Sequence, residues 1–284
     1  MRSVRRPCND AGHFTGGIPF QPYFRGVKHC SRSLFPLALC VGGLLALFGG
    51  PRSQAQGYTA GLSPGLNAAL VRLLGDHQAF TARLRIRMTD GQGKETLDAP
   101  MQFALLDGKM RGELDITKMK SRDLPALAAT AARSVGMEKV VTLVRPDRQE
   151  TYLLYPAFQS CLVAPLEAED VAALKKPAQI RREPLARETI DGHPCVKSRV
   201  TVTEPDGLPH EALVWHAADL QEFPLRIQTV DGTDTLVMQF SRIRFERPAP
   251  KDFDLPAGTS RYPDAQSLSQ AVMQRCLRQA ITGP

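Results

Sequence analysis

Residues Phe80 to Asp90 read FTARLRIRMTD. Phe80, Ala82, Leu84, Ile86 and Met88 fall on one parity, and Arg83, Arg85 and Arg87 fall on the other. Successive side chains of an extended strand point to opposite faces, so this segment predicts a strand with one dry face and one wet face. What lies against the dry face is the functional question.

The pattern continues outward from there. After DGQG comes TLDAPMQFALLDGK, with Leu97, Ala99, Met101, Phe103 and Leu105 on one parity. Next, MRGELDIT sets Met110, Leu114 and Ile116 against Arg111, Glu113 and Asp115. The DG pairs at 90–91 and 107–108 are turn chemistry, so three strands form an antiparallel meander sharing one dry face. The arginine stripe reads as the solvated face, with Glu113 and Asp115 available to balance it.

Upstream, SPGLNAALVRLLGDHQ predicts a helix with Ser63 as cap and Pro64 at its first position. Downstream, SRDLPALAATAARSVGM carries Leu124, Leu127, Ala128 and Ala131 at helical spacing, with Gly136 where a helix stops. EKVVTLVRP, ETYLLYP and FQSCLVAP read as strands, and LEAEDVAALKK as a short helix whose Glu167, Glu169 and Asp170 complement its dipole. QIRREPLARETI, PCVKSRVTVTE, HEALVWHA, LRIQTVD and TLVMQFSRIRFE form a second meander. In the last of these, Leu236, Met238 and Phe240 share a parity that Ile243 and Phe245 do not, so a bulge is expected near Ser241. RPAPKDFDLPAG then leads into a terminal helix over Asp264 to Ala280, with an apolar stripe of Leu268, Val272 and Cys276.

Ten to eleven strands with three or four helices and no repeat of 20 to 50 residues exclude a solenoid or propeller. The expected fold class is mainly β (α+β): a curled antiparallel sheet, or unclosed β-barrel, with helices packed as plug or lid.

The ends carry a separate signal. Leu34 to Phe48 is an apolar run after Lys28 and Arg32, followed by Ser53 and Ala55 at small-residue positions. This is the pattern of a secretory signal cleaved after Ala55. The run falls short of the roughly 20 residues of a spanning helix; retention as an anchor is the alternative. Residues 1–55 are therefore extension and signal, with Val27 an alternative start, and 56–284 a single β domain. The formal charge of +7 is largely an effect of that leader, which leaves 29 of the 36 basic and 28 of the 29 acidic residues to the chain after it. A nearly neutral domain excludes an electrostatic case for nucleic acid and leaves at most transient contact with a membrane. Export to an oxidising compartment makes a disulfide between Cys161 and Cys195, both in expected strands, the pairing to test against three buried thiols including Cys276.

The exported start, leading helix, long meander broken by a helical insert, and final strand running into RPAPKDFDLPAG together resemble the superfamily of the lipoprotein localisation factors LolA and LolB. GHPC at 192–195, Trp215 and DLQEFPLRI at 219–227 resemble a branch of uncharacterised secreted bacterial proteins within it. The resemblance, which covers Ser63 to Gly258, implies an unclosed barrel around an apolar cavity that shelters acyl chains, in a periplasmic or secreted protein. Its motifs are structural, so no individual residue role is carried over.

The inward residues Phe80, Leu84, Met101, Phe103, Met110, Leu114, Trp215, Met238 and Phe240 are the candidate cavity lining; a solid core built from the same side chains is the alternative. Expected partners are an apolar ligand or a lipidated protein, or an envelope protein bound by the outer surface. There is no G-x-S-x-G elbow, P-loop or H-E-x-x-H motif, so no enzyme activity and no cofactor are expected. A metal-dependent hydrolase would have to be assembled from His193, Cys195 and His210 or His216, whose spacing fits no zinc signature.

Overall fold

Alternation in the sequence becomes one large sheet. The computed structural model describes residues 71–122, 126–166, 178–203 and 209–282. The strands are β1 (Ala79–Thr89), β2 (Glu95–Leu106), β3 (Lys109–Asp115), β4 (Lys120–Ser121), β5 (Lys139–Arg145), β6 (Glu150–Tyr155), β7 (Ser160–Pro165), β8 (Gln179–Ile190), β9 (His193–Thr203), β10 (Pro209–Ala217), β11 (Phe223–Asp231), β12 (Asp234–Arg244) and β13 (Ser260–Tyr262). The helices are α1 (Ala126–Ser134) and α2 (Ala265–Thr282). The signal segment, most of the first expected helix and the segment LEAEDVAALKK lie outside the described residues. None of the described helices is long and apolar enough to cross a membrane.

The sheet runs β13-β7-β6-β5-β3-β2-β1-β12-β11-β10-β9-β8, with β4 paired to β2. β8 and β13 are its ends, so it does not close into a barrel. The strands beyond the expected ten or eleven are accounted for by β4 and β13, which are too short for any alternation to be read. All neighbours are antiparallel except β13 and β7. Two meanders are joined only where β1 meets β12. There Leu84 stands opposite Phe240 on one side and Met101 on the other, and Ile86 stands between Met238 and Ala99. The bulge falls at Arg242, whose φ is 52°, beside the expected Ser241.

The sheet curls toward its dry face. Phe103 on β2 and Phe240 on β12 flank β1, a spacing of about 9.5 Å in a flat sheet, yet their rings are 5.9 Å apart. Each part of this concave face has its own cover. Leu73 and Leu74, at the end of the first helix, pack with Phe80, Phe223, Ile227, Val214 and Phe240. Ala132 of α1 and Leu268 and Val272 of α2 pack with Val140, Tyr155 and Phe158. α1 stops because Gly136 takes a φ of 74°, letting the Met137 N–H reach back to the Ala132 carbonyl at 2.7 Å. α2 starts on Asp264, whose carboxylate accepts from the Ser267 N–H at 2.7 Å.

The convex face is crossed by the segment 246–259. Its Phe253 is fully buried against Ala104 and Leu106. Arg145, also buried, donates to the Phe253 carbonyl at 2.8 Å and to Asp254 at 2.6 Å, while its other nitrogens hold Asp147 at 2.8 and 2.9 Å. The Arg145 guanidinium holds the Asp147 carboxyl down to about 2.

Arg83, Arg85 and Arg87 lie on this convex side. The acid that meets this stripe is Asp98 across the ladder, and it pairs with Arg85, which donates to both of its oxygens, at 2.7 and 2.5 Å. Glu113 is taken by Arg111, and Asp115 by Lys118 and Thr117.

The expected disulfide is absent. Cys161 and Cys195 are both free and buried. In the sheet β7 and β9 are separated by β6, β5, β3, β2, β1, β12, β11 and β10. The two thiols sit in separate apolar clusters, and burial pushes both up from the ordinary cysteine value. The side chain of Cys276 lies outside the described residues.

An apolar groove as the candidate functional site

Phe80, Leu84, Met101, Phe103, Met110, Leu114, Met238 and Phe240 all belong to one concave cluster. Trp215 does not. On β10 the residues on either side of it, Val214 and His216, face inward, and it packs on the convex side with Ile190, Cys195, Ala217 and Leu225. There its indole N–H donates to Glu188 at 2.7 Å, and Lys197 and Arg226 lie over its ring at 5.0 and 5.5 Å. A large aromatic side chain signals burial, but it does not say which face of the sheet buries it.

The eight inward residues fall into two classes. Phe80, Leu84, Met238 and Phe240 are buried, and the rings of Phe80 and Phe240 form with Phe223 a continuous edge-to-face cluster, with centroids 5.0 to 6.1 Å apart. This half of the interior, over β1, β12 and β11, is filled by side chains. Met101, Phe103, Met110 and Leu114 are only partly buried, as are Met88, Leu97 and Met119 beside them. They occupy the seam between the part covered by Leu73 and Leu74 and the part covered by α1 and α2; Leu114 and Met119 touch both clusters.

At the middle of this seam stands Gly112, opposite Phe103 on β2 and Thr142 on β5. Among the described residues a Cβ built there would meet nothing within 4 Å except the Met101 sulfur, at 3.6 Å. The missing side chain therefore leaves a depression in the floor, walled by Met101, Phe103, Met110 and Leu114. Gly112, Met88 and Met119 are the residues that sequence reasoning missed. The available signal was a glycine on the inward parity of MRGELDIT, between Met110 and Leu114.

The remaining candidates do not converge. His193 and Cys195 face the convex side, where His193 meets Asp219 at 2.8 Å and the Cys195 thiol donates to the His193 carbonyl at 3.4 Å. His210 and His216 stand opposite Val202 and Val196 on the other face. Among the described residues no group of three or more histidine, cysteine or acidic side chains is placed to hold a metal ion. The hydrolase reading thus loses its constellation to strand parity. His216 instead lines a cleft of about 410 Å³ with Leu73, His77, Arg182 and Glu222. Burial lowers its imidazole to about 4.

An open, curled antiparallel sheet with an apolar seam in its hollow is the class that fold and site define. Neither a protein-family model nor a curated protein matches the chain. Among solved structures it is similar to lipoprotein LppX of Mycobacterium tuberculosis (14% identity, 68% of this chain and 100% of that one, TM-score 0.34). It is also similar to a LolA superfamily protein of Nitrosomonas europaea (11% identity, 64% and 93%, TM-score 0.32). A third similar structure is MucB in complex with MucA (15% identity, 68% and 58%, TM-score 0.33). At these values the likenesses do not decide what this chain binds.

Proposed function

We propose that this protein is an exported, non-catalytic carrier or sensor that holds an apolar chain, of the acyl kind, in the groove over Gly112. The carrying observation is that, among the described residues, a Cβ on Gly112 would touch only the Met101 sulfur, over a floor of half-buried methionine, phenylalanine and leucine side chains. Each methylene taken from water into such a floor contributes about 0.8 kcal/mol, so a chain of several carbons is held without any chemical step. Methionine side chains suit the task, because an unbranched thioether repacks around differing shapes. The interior around Phe223 and Phe240 is filled by side chains, so the ligand lies across β2 and β3. A free lipid and a lipidated protein present the same chain and would use the same floor. The leader ending near Ala55 supports delivery to the periplasm or the outside, where such cargo is met.

The test is titration of the mature protein with dansyl-labelled undecanoic acid, read by the shift of dansyl emission. The wild type is expected to bind saturably. The Gly112→Phe variant is expected to lose the shift while keeping its far-ultraviolet circular dichroism and melting cooperativity, because the added ring enters open space. Equal binding by a folded Gly112→Phe protein, or no saturable binding by the wild type, would overturn the reading.

A further inference from the structure

The methionines among the described residues are not scattered. Met88, Met101, Met110 and Met119 all lie on or beside the seam, on β1, β2, β3 and just after β3, and all are partly exposed. Met137 and Met238 are fully buried at 0% and 1%, and only Met273, on α2, lies partly exposed elsewhere among the described residues. The thioethers that a small solute can reach are therefore concentrated on the floor of the groove. The sulfur of Met101 borders the depression itself.

Resting on the binding proposed above, we infer that the groove methionines, Met101 and Met110 first, are a peroxide modification site that switches the groove off. A thioether sulfur attacks the O–O bond of a hydroperoxide. The sulfur gains one oxygen and is oxidised to the sulfoxide, while the peroxide is reduced, leaving as water in the case of hydrogen peroxide. The product is a strongly polar S=O in place of an apolar sulfur. The floor around it consists of Phe103, Leu114, Gly112 and the other methionines, and the single hydroxyl of Thr142, opposite Gly112, can donate to no more than one sulfoxide. An apolar chain lying over a sulfoxide would strip it of water without replacing the hydrogen bonds it loses. Affinity for the chain therefore falls while the fold, whose enclosed methionines are Met137 and Met238, keeps its core. A bound chain in turn shields the same sulfurs, so the loaded protein resists oxidation and the empty one does not.

The experiment treats the mature protein with limiting hydrogen peroxide, with and without saturating dansyl-labelled undecanoic acid. Peptide mass mapping locates the added oxygen, and the probe is then titrated again. Met101 and Met110 should gain oxygen ahead of Met137 and Met238, the probe should slow their oxidation, and the oxidised empty protein should bind the probe about tenfold more weakly or worse. A Met101→Leu, Met110→Leu double variant, whatever its own affinity, should keep that affinity through the same treatment. Unchanged binding by protein oxidised at both positions overturns the switch and leaves the binding proposal standing. An equal loss in the double variant does the same. Failure of the unoxidised wild type to bind the probe removes both.

Discussion

At the level of single side chains, two buried polar groups show how differently the two faces are organised. Asp98 is almost fully enclosed on the convex side, and its carboxyl sits below the ordinary carboxylate range because Arg85 donates to it and lies beside it. Replacing Arg85 with methionine should cost about 1 to 2 kcal/mol in a urea melt, since Asp98 is left buried without that partner. Arg83→Met should cost less than about 0.5 kcal/mol, because Arg83 is exposed and makes no ion pair among the described residues. His216 works in the opposite sense. Its folded pKa of about 4 lies below the ordinary histidine value of 6.5. Stability from neutral His216 is therefore complete above about pH 6.5 and falls as the unfolded chain takes up the proton that the folded one refuses, by about 2 kcal/mol at pH 5. The loss continues down to about pH 4. A His216→Gln variant should lose distinctly less stability than the wild type between pH 7.5 and pH 5, a window above most carboxylate titration.

Individual elements decide how much of this could be read in advance. Strand parity is a local property, and it brought Phe80, Leu84, Met101, Phe103, Met110, Leu114, Met238 and Phe240 to one face as expected. Trp215 escaped because its face depends on the register of β10 against its neighbours, which includes an irregularity between Trp215 and His216. The cysteine pairing failed for a related reason, as the order of strands in the sheet leaves no trace in their separate alternation. Segment 246–259 was legible as a stretch rich in proline and aspartate but not as a convex strap, since its partners Arg145 and Leu106 are far away in sequence. That strap can be tested: Phe253→Ala should cost about 3 to 4 kcal/mol by denaturant melt, because a fully enclosed ring is removed from between the strap and Ala104 and Leu106 of β2. The groove was half legible. Its apolar floor follows from alternation, whereas its openness follows from where Leu73, Leu74, α1 and α2 stop covering the sheet.

For the molecule as a whole, the edges matter as much as the interior. β8 is exposed along almost its entire length, and its outer edge would invite pairing with another chain were it not for its charges, Pro184 and the bulge between Pro184 and Ala186. The other decisive feature is the single joint between the two meanders. β1 is among the first strands to be synthesised, yet one of its two neighbours, β12, ends only at Arg244. Until the ribosome has released nearly the whole chain, the backbone groups on the β12 side of β1 have no partner, and the apolar seam beside it is open to water. A product stopped at Asp231 should accordingly collect in inclusion bodies or on holding chaperones, while one stopped after Arg244 should retain a paired β1. If the chain is exported as proposed, this late closure would keep the newborn polypeptide slack enough to be threaded through a membrane pore.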